Sequence, residues 1–251
     1  MLYRIIAAAS DHDLIADRLW AAGTTGIEQR ADSLIAGFDA PVDLDFLGAP
    51  YAIFEPEHDW VETQRAGIET TEAGRFLVHP PWVEPNADEH HIVIEIDPGA
   101  AFGHGGHPTT AMCLELLSSA PIAGATVADV GCGTGVLAIA AALLGARGVS
   151  ANDIDPVAVE MTSINARRNG VDIEITSEPR PADLALVNVT IDVHEHIATR
   201  VDAPALILSG VLEHQVERLE ACYGAELTHR ITSDGWVAGR LRRTPAHDTP
   251  T

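Results

Sequence analysis

A glycine-rich loop between two predicted strands constrains the fold of this chain more than any other feature. Residues 125–155 begin with a β-branched run that ends at Asp129 and Val130, pass through the letters GCGTG and continue as an apolar helix rich in alanine and leucine. A second predicted strand, 148–152, is followed directly by Asp153, about twenty residues after the glycines. A strand, a glycine loop, a helix and a strand in this order form one βαβ unit of the nucleotide-binding type. The sequence therefore predicts an α/β fold.

The residue types in this unit predict a ligand that contains a nucleoside. Gly131 and Gly133 lack the Cβ atoms that would keep a ligand away from the backbone where the first strand turns into its helix. The carboxylate of Asp153, at the end of the second strand, can accept hydrogen bonds from both hydroxyls of a ribose. Glycines also serve tight turns, but the distal carboxylate and the flanking strands favour the ligand-binding interpretation.

The spacing of the glycines indicates which ligand of this kind is bound. In the dinucleotide fingerprint the third glycine stands three positions after the second, where it lets helix and strand pack closely around a pyrophosphate. Here the glycines are Gly131, Gly133 and Gly135, and Asp129 stands two positions before the first of them. A carboxylate beside the loop would repel phosphates and attract a cationic group, such as the ammonium of an amino acid. The loop therefore resembles that of S-adenosylmethionine-dependent methyltransferases, and we expect Asp129 to contribute to cofactor binding.

The net charge limits the partners of the chain. With 37 acidic residues against 15 basic ones, the chain of 251 residues carries a formal charge of −22. Direct binding to nucleic acid requires neutralisation of phosphates and is therefore not expected, whereas a basic protein would be attracted over a long range. The simpler interpretation of the acidic surface is solubility or adaptation to salt.

Three features predict a cytoplasmic location without contact to a membrane. Charges interrupt every apolar run before it reaches the length of a membrane span. Met1 is followed by an alternating, strand-like run instead of the basic and then apolar segment of a signal peptide. The three cysteines, Cys113, Cys132 and Cys222, lack metal-ligand spacing and are interpreted as reduced thiols.

Residues 1–56 form a predicted domain of their own. Their pattern predicts the ferredoxin-like βαββαβ plan, with strands at 2–9, 27–30, 34–38 and 51–54, a helix at 11–22 and a short turn of helix near 43–47. No catalytic constellation occurs in this part, so it is either a substrate-recognition domain, which we favour, or a structural extension. The charged residues 57–74, with a possible helix at 60–66, are interpreted as a linker to a catalytic domain at 75–243.

A segment rich in glycine and histidine precedes another predicted helix. The segment reads FGHGGHPTT, and its helix is predicted to start at Pro108 or Thr109. His104 and His107 could suggest a metal site, but catalytic zinc usually has three protein ligands, and no third ligand stands at a helpful spacing. We therefore expect no metal, and we interpret the segment as a flexible loop that folds over the cofactor.

Four segments of the chain resemble one family. FGHGGHPTT, DVGCGTG, NDIDP and a predicted strand ending in Asn188 occur in the same order in the methyltransferases of large-subunit ribosomal protein eleven. The resemblance covers residues 60–243, and it implies a Rossmann-like sheet of seven strands, a small N-terminal domain and S-adenosylmethionine as the cofactor. It also implies that the four segments supply the cofactor contacts, namely Phe102, Gly103, Thr110, Gly131, Gly133, Asp153 and Asn188.

The activity implied by the resemblance is N-methylation of lysine or α-amino groups of ribosomal protein eleven. Asn188 is the expected catalytic residue, because its carbonyl could accept a hydrogen bond from a neutral amine and orient the lone pair towards the methyl group. Without the resemblance, Asn188 would be interpreted as the cap of a turn. His104 replaces the usual threonine of the family, and Thr190 and Ile191 replace a bulkier residue and an alanine.

These departures leave alternatives open. A methyltransferase acting on a different protein lysine or on a small molecule would keep the cofactor site and change the acceptor. A ribosome-associated binding module without activity is a second alternative. A Rossmann dehydrogenase fits less well, because the glycine spacing differs from that of the dinucleotide fingerprint.

The remaining elements complete the predicted sheet. Further strands are predicted at 76–78, 91–96, 171–176, 183–188, 205–209, 226–232 and 236–241, and helices at 156–169, 192–201 and 211–222. The last two strands are joined by a short turn, so one of them must run antiparallel. The connection 176–183 is too short and too rich in proline for a helix, and the tail 244–251 is expected to be disordered.

Overall fold

The chain folds into two compact units. The computed structural model describes residues 2–7, 11–24, 26–29, 32–38, 40–53, 68–99, 103 and 105–243. The first unit is Met1–Gly67 and the second is Ile68–Thr251. Within the described part of the chain, none of the helices combines the length and the apolar character needed to cross a membrane.

The first unit contains a four-stranded sheet. Its strands are β1 (Leu2–Ile6), β2 (Gly26–Gln29), β3 (Ser33–Gly37) and β4 (Tyr51–Ile53), in the order β2-β3-β1-β4 with antiparallel neighbours throughout. Helix α1 (His12–Ala21) connects β1 to β2, and β2 and β3 form the predicted hairpin. Because β3 lies between β1 and β2, this is the split βαβ arrangement of the ferredoxin-like plan.

The short helical turn predicted near 43–47 is present as a three-residue 3₁₀ helix, Asp45–Leu47, that ends at Gly48 in the left-handed conformation. The core of the unit is correspondingly small, and its fully buried side chains include Ile5, Leu19 and Leu34.

The second unit begins with a sheet of three strands. These are β5 (Thr71–Ala73), β6 (Phe76–His79) and β7 (Ile92–Glu95), with β5 antiparallel and β7 parallel to β6. Residues 71–73 of the predicted linker thus belong to a sheet, while the possible helix at 60–66 lies outside the described residues.

The main sheet of the second unit has seven strands, as predicted. They are β8 (Thr126–Val130), β9 (Gly148–Asn152), β10 (Glu174–Ile175), β11 (Leu184–Asn188), β12 (Ala205–Leu212), β13 (Thr228–Ser233) and β14 (Trp236–Arg242), in the order β10-β9-β8-β11-β12-β14-β13. Strand β14 is antiparallel to its neighbours β12 and β13, and the other neighbouring pairs of this sheet are parallel. The central strands are apolar because both of their faces are buried.

Helices cover both faces of this sheet. They are α2 (Pro108–Ser118), α3 (Val136–Leu143), α4 (Pro156–Arg168), α5 (Ile191–Ile197) and α6 (Val216–Tyr223). One core cluster joins α2 and α3 to the sheet, and a second joins α5 and α6 to its other face. The predicted absence of a helix in the connection 176–183 is confirmed.

Several predicted elements have different bounds in the structure. The strand predicted at 171–176 is reduced to β10, Glu174–Ile175, and the helix predicted at 192–201 ends at Ile197. The helix predicted at 211–222 begins only at Val216, because β12 continues to Leu212 beyond a register shift around Gly210. The apolar spacing at the start of the predicted helix 211–222 fits a helix and a bulged strand equally well. Periodicity alone could therefore not show where the strand ends and the helix begins.

Candidate cofactor site

A cavity of about 270 Å³ lies at the carboxyl edge of the main sheet, where β8, β9 and β11 end. In a parallel sheet this edge is the usual ligand site. Its walls are formed by predicted site residues together with apolar side chains: Gly103, Thr110, Val130, Gly131, Cys132, Gly133, Val136, Leu137, Asn152, Asp153, Ile154, Asn188, Val189, Val193 and Ile197.

The glycine loop forms the floor of this cavity. Gly131 has φ = 77°, and a Cβ atom there would lie 2.5 Å from Cγ1 of Val189. Gly135 has φ = 82°, and a Cβ atom there would lie 2.8 Å from Cγ2 of Thr162. The amides of Gly131 and Cys132 both donate to the carbonyl of Asn152, at 2.9 and 3.1 Å. The loop is therefore held by main-chain geometry that side chains would disrupt.

Asp153 bridges the second strand and the glycine loop. Its Oδ2 accepts a hydrogen bond from the amide of Gly133 at 3.0 Å, and its Oδ1 accepts one from the amide of Asp155 at 3.0 Å. A carboxylate has about four acceptor positions, so about two remain for a ligand. The side chain is partly exposed and lines the cavity. Its position suits recognition of a pair of hydroxyl groups.

Asp129 has a different environment, and the structure does not bring it to the cavity wall. The side chain is buried, and its Oδ2 accepts a hydrogen bond from the amide of Ala138 at 3.0 Å. Helix α3 begins after Gly135, which has no side chain to cap it, and Asp129 supplies the missing acceptor. Burial raises the pKa of Asp129 to about 7, and the nearby charge of Asp153 adds to this shift. The sequence signal, a carboxylate beside the loop, is thus equally consistent with a structural role.

Asn188 and Thr110 meet on the opposite wall of the cavity. Nδ2 of Asn188, at the end of β11, lies 3.4 Å from Oγ1 of Thr110, which is buried in the first turn of α2. Among the residues that the structure describes, Oδ1 of Asn188 has no hydrogen-bond partner. The side chain therefore offers the cavity an acceptor, as the predicted role requires.

The predicted loop over the cofactor is anchored to the glycine loop through Gly103. Oγ1 of Thr134 donates to the carbonyl of Gly103 at 2.6 Å, and Gly103 lines the cavity. Phe102 and His104 lie outside the described residues.

His107 has a structural environment. Its Nδ1 caps α2 by accepting from the amide of Thr109, and its ring packs edge-on against Trp236 at a centroid distance of 5.3 Å. In the described part of the chain, no group of three or more His, Cys, Asp or Glu residues is placed to hold a metal ion.

Two residues near the site, Asn165 and Gly210, were missed by sequence reasoning. Asn165 of α4 is fully buried and joins two loops, since its Nδ2 donates to the carbonyls of Asp97 and Thr134 at 3.0 Å each. Gly210 packs against the residue after Asn188, because a Cβ atom there would lie 2.1 Å from the carbonyl oxygen of Val189. The sequence signals that could have revealed them were a polar residue, Asn165, on the inner face of α4 and the pair Ser209 and Gly210 inside an apolar strand.

The site and the sheet together define a class of protein. A glycine loop after the first strand of a seven-stranded sheet, a carboxylate after the second and one antiparallel strand, β14, inserted next to the edge are the features of a class I S-adenosylmethionine-dependent methyltransferase.

Comparisons with known proteins identify the family within this class. The family model described as "Ribosomal protein L11 methyltransferase (PrmA)" matches residues 52–244. A ribosomal protein L11 methyltransferase of Pseudomonas aeruginosa is 36% identical over 250 residues, which cover 88% of this chain and 84% of that protein. One of Methylococcus capsulatus is 43% identical over 183 residues, which cover 65% of this chain and 62% of that protein.

A solved structure agrees with these sequences. The crystal structure of a ribosomal protein L11 methylase from Lactobacillus delbrueckii subsp. bulgaricus matches with a TM-score of 0.59 at 28% identity, covering 68% of this chain and 95% of that one. The chain therefore belongs to the ribosomal protein L11 methyltransferase family, whose cofactor is S-adenosylmethionine. The family resemblance of the four sequence segments is confirmed.

Proposed function

We propose that this chain methylates amino groups of ribosomal protein L11, on lysine side chains or at the α-amino terminus. The observation that carries the proposal is the convergence of Asp153, the glycine loop and the unpartnered Oδ1 of Asn188 on one cavity. The relatives' names support the acceptor, and the charge of −22 suits a basic protein better than nucleic acid. We place the reaction in the cytoplasm, where the predicted reduced thiols would persist.

The residues on the cavity wall divide the binding of the cofactor among them. Asp153 uses its two remaining acceptor positions for the ribose hydroxyls, and the backbone at Gly131 and Gly133 leaves room for the amino acid part. Gly103 and Thr110 close the cavity from the other side. When bound, S-adenosylmethionine supplies a methyl group activated by its sulfonium.

Asn188 prepares the acceptor. A lysine amine with an ordinary pKa near 10.4 must become neutral before it can act as a nucleophile. Removal from water into an apolar cavity disfavours the ammonium form and so lowers this pKa. Oδ1 of Asn188 then accepts a hydrogen bond from the neutral amine and fixes the direction of its lone pair. Alignment of this kind is the main contribution that the protein has to make.

Residues 1–56, which lie in the first unit, form the proposed substrate-recognition domain. Their described part contains the four-stranded sheet and helix α1, and no catalytic constellation is visible in it. The competing function keeps the cofactor site and methylates another protein lysine or a small molecule. The exposed Thr190 beside Asn188, at a position where the chain departs from its family, is the observation that favours it.

The test is transfer of labelled methyl groups to purified L11. The unmodified chain is expected to label L11, and Asn188→Ala and Asp153→Ala are expected to lose most of this activity. Asp172→Ala, an exposed carboxylate at the opposite edge of the sheet, is the matched control and should keep it. Labelling of another protein in a ribosomal extract, with L11 unlabelled, would support the competing function. Full labelling by both site variants would contradict the proposed site.

A further inference from the structure

A buried histidine lies directly behind the catalytic edge of the sheet. His194 on α5 has no exposed surface, although its neighbours Val193 and Ile197 on the same helix line the cavity. Its Nδ1 lies 2.9 Å from the hydroxyl of Tyr223 on α6, and its Nε2 lies 2.9 Å from the carbonyl oxygen of Ser209 on β12. Both ring nitrogens are thus satisfied by groups on two other elements.

These partners fix the protonation of the ring. The carbonyl of Ser209 can only accept, so Nε2 of His194 carries the proton and donates it. Nδ1 is then the acceptor, and the hydroxyl of Tyr223 is the donor. Burial lowers the pKa of His194 to about 4, against the hydrogen bonds to the carbonyls of Ser209 and Val189. The ring is therefore neutral and held in one tautomer.

The hydrogen bond to Ser209 reaches the segment that carries Asn188. Ser209 is the direct partner of Asn188 in the pairing of β12 with β11, and Gly210 lies against the carbonyl of Val189. From the other side, the amide of His194 donates to the carbonyl of Thr190 at 3.0 Å. The turn 188–190 is thus enclosed between the end of β12 and the first turn of α5.

The far side of this arrangement is also fixed. Oγ of Ser209 donates to the carbonyl of Val237 on β14 at 2.9 Å. Tyr223 packs edge-on against the ring of His194 at a centroid distance of 5.7 Å, and the guanidinium of Arg243 lies 5.3 Å from the centre of the tyrosine ring. These contacts hold the ring of His194 in place on the side away from the turn 188–190, as a residue that positions another must be held.

We propose that His194 is a positioning residue for methyl transfer, whose Nε2–H hydrogen bond to Ser209 holds the turn 188–190 so that Asn188 meets the acceptor amine. The inference rests on the proposed function only in the role that it gives to Asn188. A purely structural side chain at this place would need size and apolarity alone, which leucine provides. The two hydrogen bonds, each with its own partner, are what distinguish the histidine.

The test compares three variants in kinetics with L11 and in binding of S-adenosylhomocysteine. His194→Leu keeps the volume but removes both hydrogen bonds, and we expect kcat to fall roughly tenfold while KM for L11 stays within about twofold. His194→Gln keeps a donor and an acceptor and should retain about a third or more of the wild-type kcat. Tyr223→Phe removes only the donor to Nδ1 and should lower kcat about threefold. The Kd for S-adenosylhomocysteine should stay within about twofold in all three.

A structural measurement makes the test independent of the substrate. The side-chain amide signal of Asn188 in ¹⁵N-edited NMR spectra can be assigned by its loss in Asn188→Ala. We expect this signal to shift in His194→Leu and, by less, in Tyr223→Phe, and to stay in place in His194→Gln. If the unmodified chain fails to methylate L11, the proposed function fails, and the NMR comparison still decides the role of His194.

The results that overturn the inference are specific. An unshifted Asn188 signal together with a wild-type kcat in His194→Leu would show that the histidine only fills space. Equal losses in His194→Leu and His194→Gln would show that the hydrogen bonds are not the cause. Should His194→Leu not fold, a wild-type kcat together with an unshifted Asn188 signal in Tyr223→Phe would overturn the inference.

Discussion

The two halves of the carboxyl edge of the main sheet are built by different means. In the cofactor half, at the ends of β8 and β9, the hydrogen bonds between Asp153 and the glycine loop come from main-chain amides within about twenty residues, and Asn165 of α4 adds one distant bond to the carbonyl of Thr134. In the acceptor half, at the ends of β11 and β12, Asn188 depends on side chains that are distant in sequence. Thr110 lies 78 residues before it, and the pair His194 and Tyr223 is separated by 29 residues.

This difference teaches which part of the site can change independently. A loop fixed by glycine conformations and one carboxylate binds the same cofactor whatever the acceptor is. A turn fixed by tertiary hydrogen bonds can be moved by a single substitution in any of its supports. Of the three departures from the family pattern that the resemblance implies, Thr190 and Ile191 fall in the acceptor half, and His104 lies outside the described residues.

The strongest test of this comparison is removal of the carboxylate of the cofactor half. Asp153→Ala is expected to raise the Kd for S-adenosylhomocysteine about a hundredfold, since two hydrogen bonds to a charged group contribute roughly 1.5 kcal/mol each. Calorimetric titration measures this directly. KM for L11, at saturating cofactor, should stay unchanged. A comparable rise in the Kd of the control Asp172→Ala would mean that net charge, and not the site, is responsible.

The matching test in the acceptor half is Asn188→Ala. We expect kcat to fall about thirtyfold, because the amine loses its orienting acceptor. The Kd for S-adenosylhomocysteine should change by less than about fivefold. Rapid single-turnover kinetics would separate the methyl-transfer step from product release. If binding falls as strongly as turnover, Asn188 belongs to the cofactor half and the division is wrong.

The third test concerns Asp129, which belongs to the cofactor half in sequence but caps α3 in the structure. Burial raises its pKa to about 7 from the ordinary 3.8, so the unfolded chain gives up this proton at lower pH than the folded one. The contribution of Asp129 to the free energy of unfolding therefore decreases as pH rises from about 4 to 7 and stays low above that.

Asparagine at this position keeps an acceptor for the amide of Ala138 but cannot ionise. Asp129→Asn is thus expected to be more stable than the wild type at pH 8, by on the order of 1 kcal/mol, and about equal near pH 4. Urea unfolding at both pH values measures this, with the exposed Asp172→Asn as control. The affinity for S-adenosylhomocysteine should be preserved. A large loss of affinity would support the sequence-based prediction that Asp129 binds the cofactor.

What the sequence could predict follows the same division. The βαβ unit and the presence of one antiparallel strand among the last two are set by local turns and short connections, and both were predicted. The role of Asp129 and the network of His194 depend on which helix packs over which strand, and this is decided by tertiary structure. The strand that continues past Gly210 was missed for the same reason, since its bulge is supported by Val189.

The smallest expected effect probes the support of Asn188 by α2. Thr110→Val removes the hydroxyl that accepts from Nδ2 of Asn188 and keeps the shape of a fully buried side chain. At 3.4 Å this hydrogen bond is long, so we expect kcat to fall only about twofold to threefold. Thr109→Val, at the neighbouring buried threonine, is a control that disturbs the capping of α2 by His107 without touching Asn188. A larger loss of kcat in Thr109→Val than in Thr110→Val would show that the start of α2 as a whole positions Asn188, and that the hydroxyl of Thr110 does not.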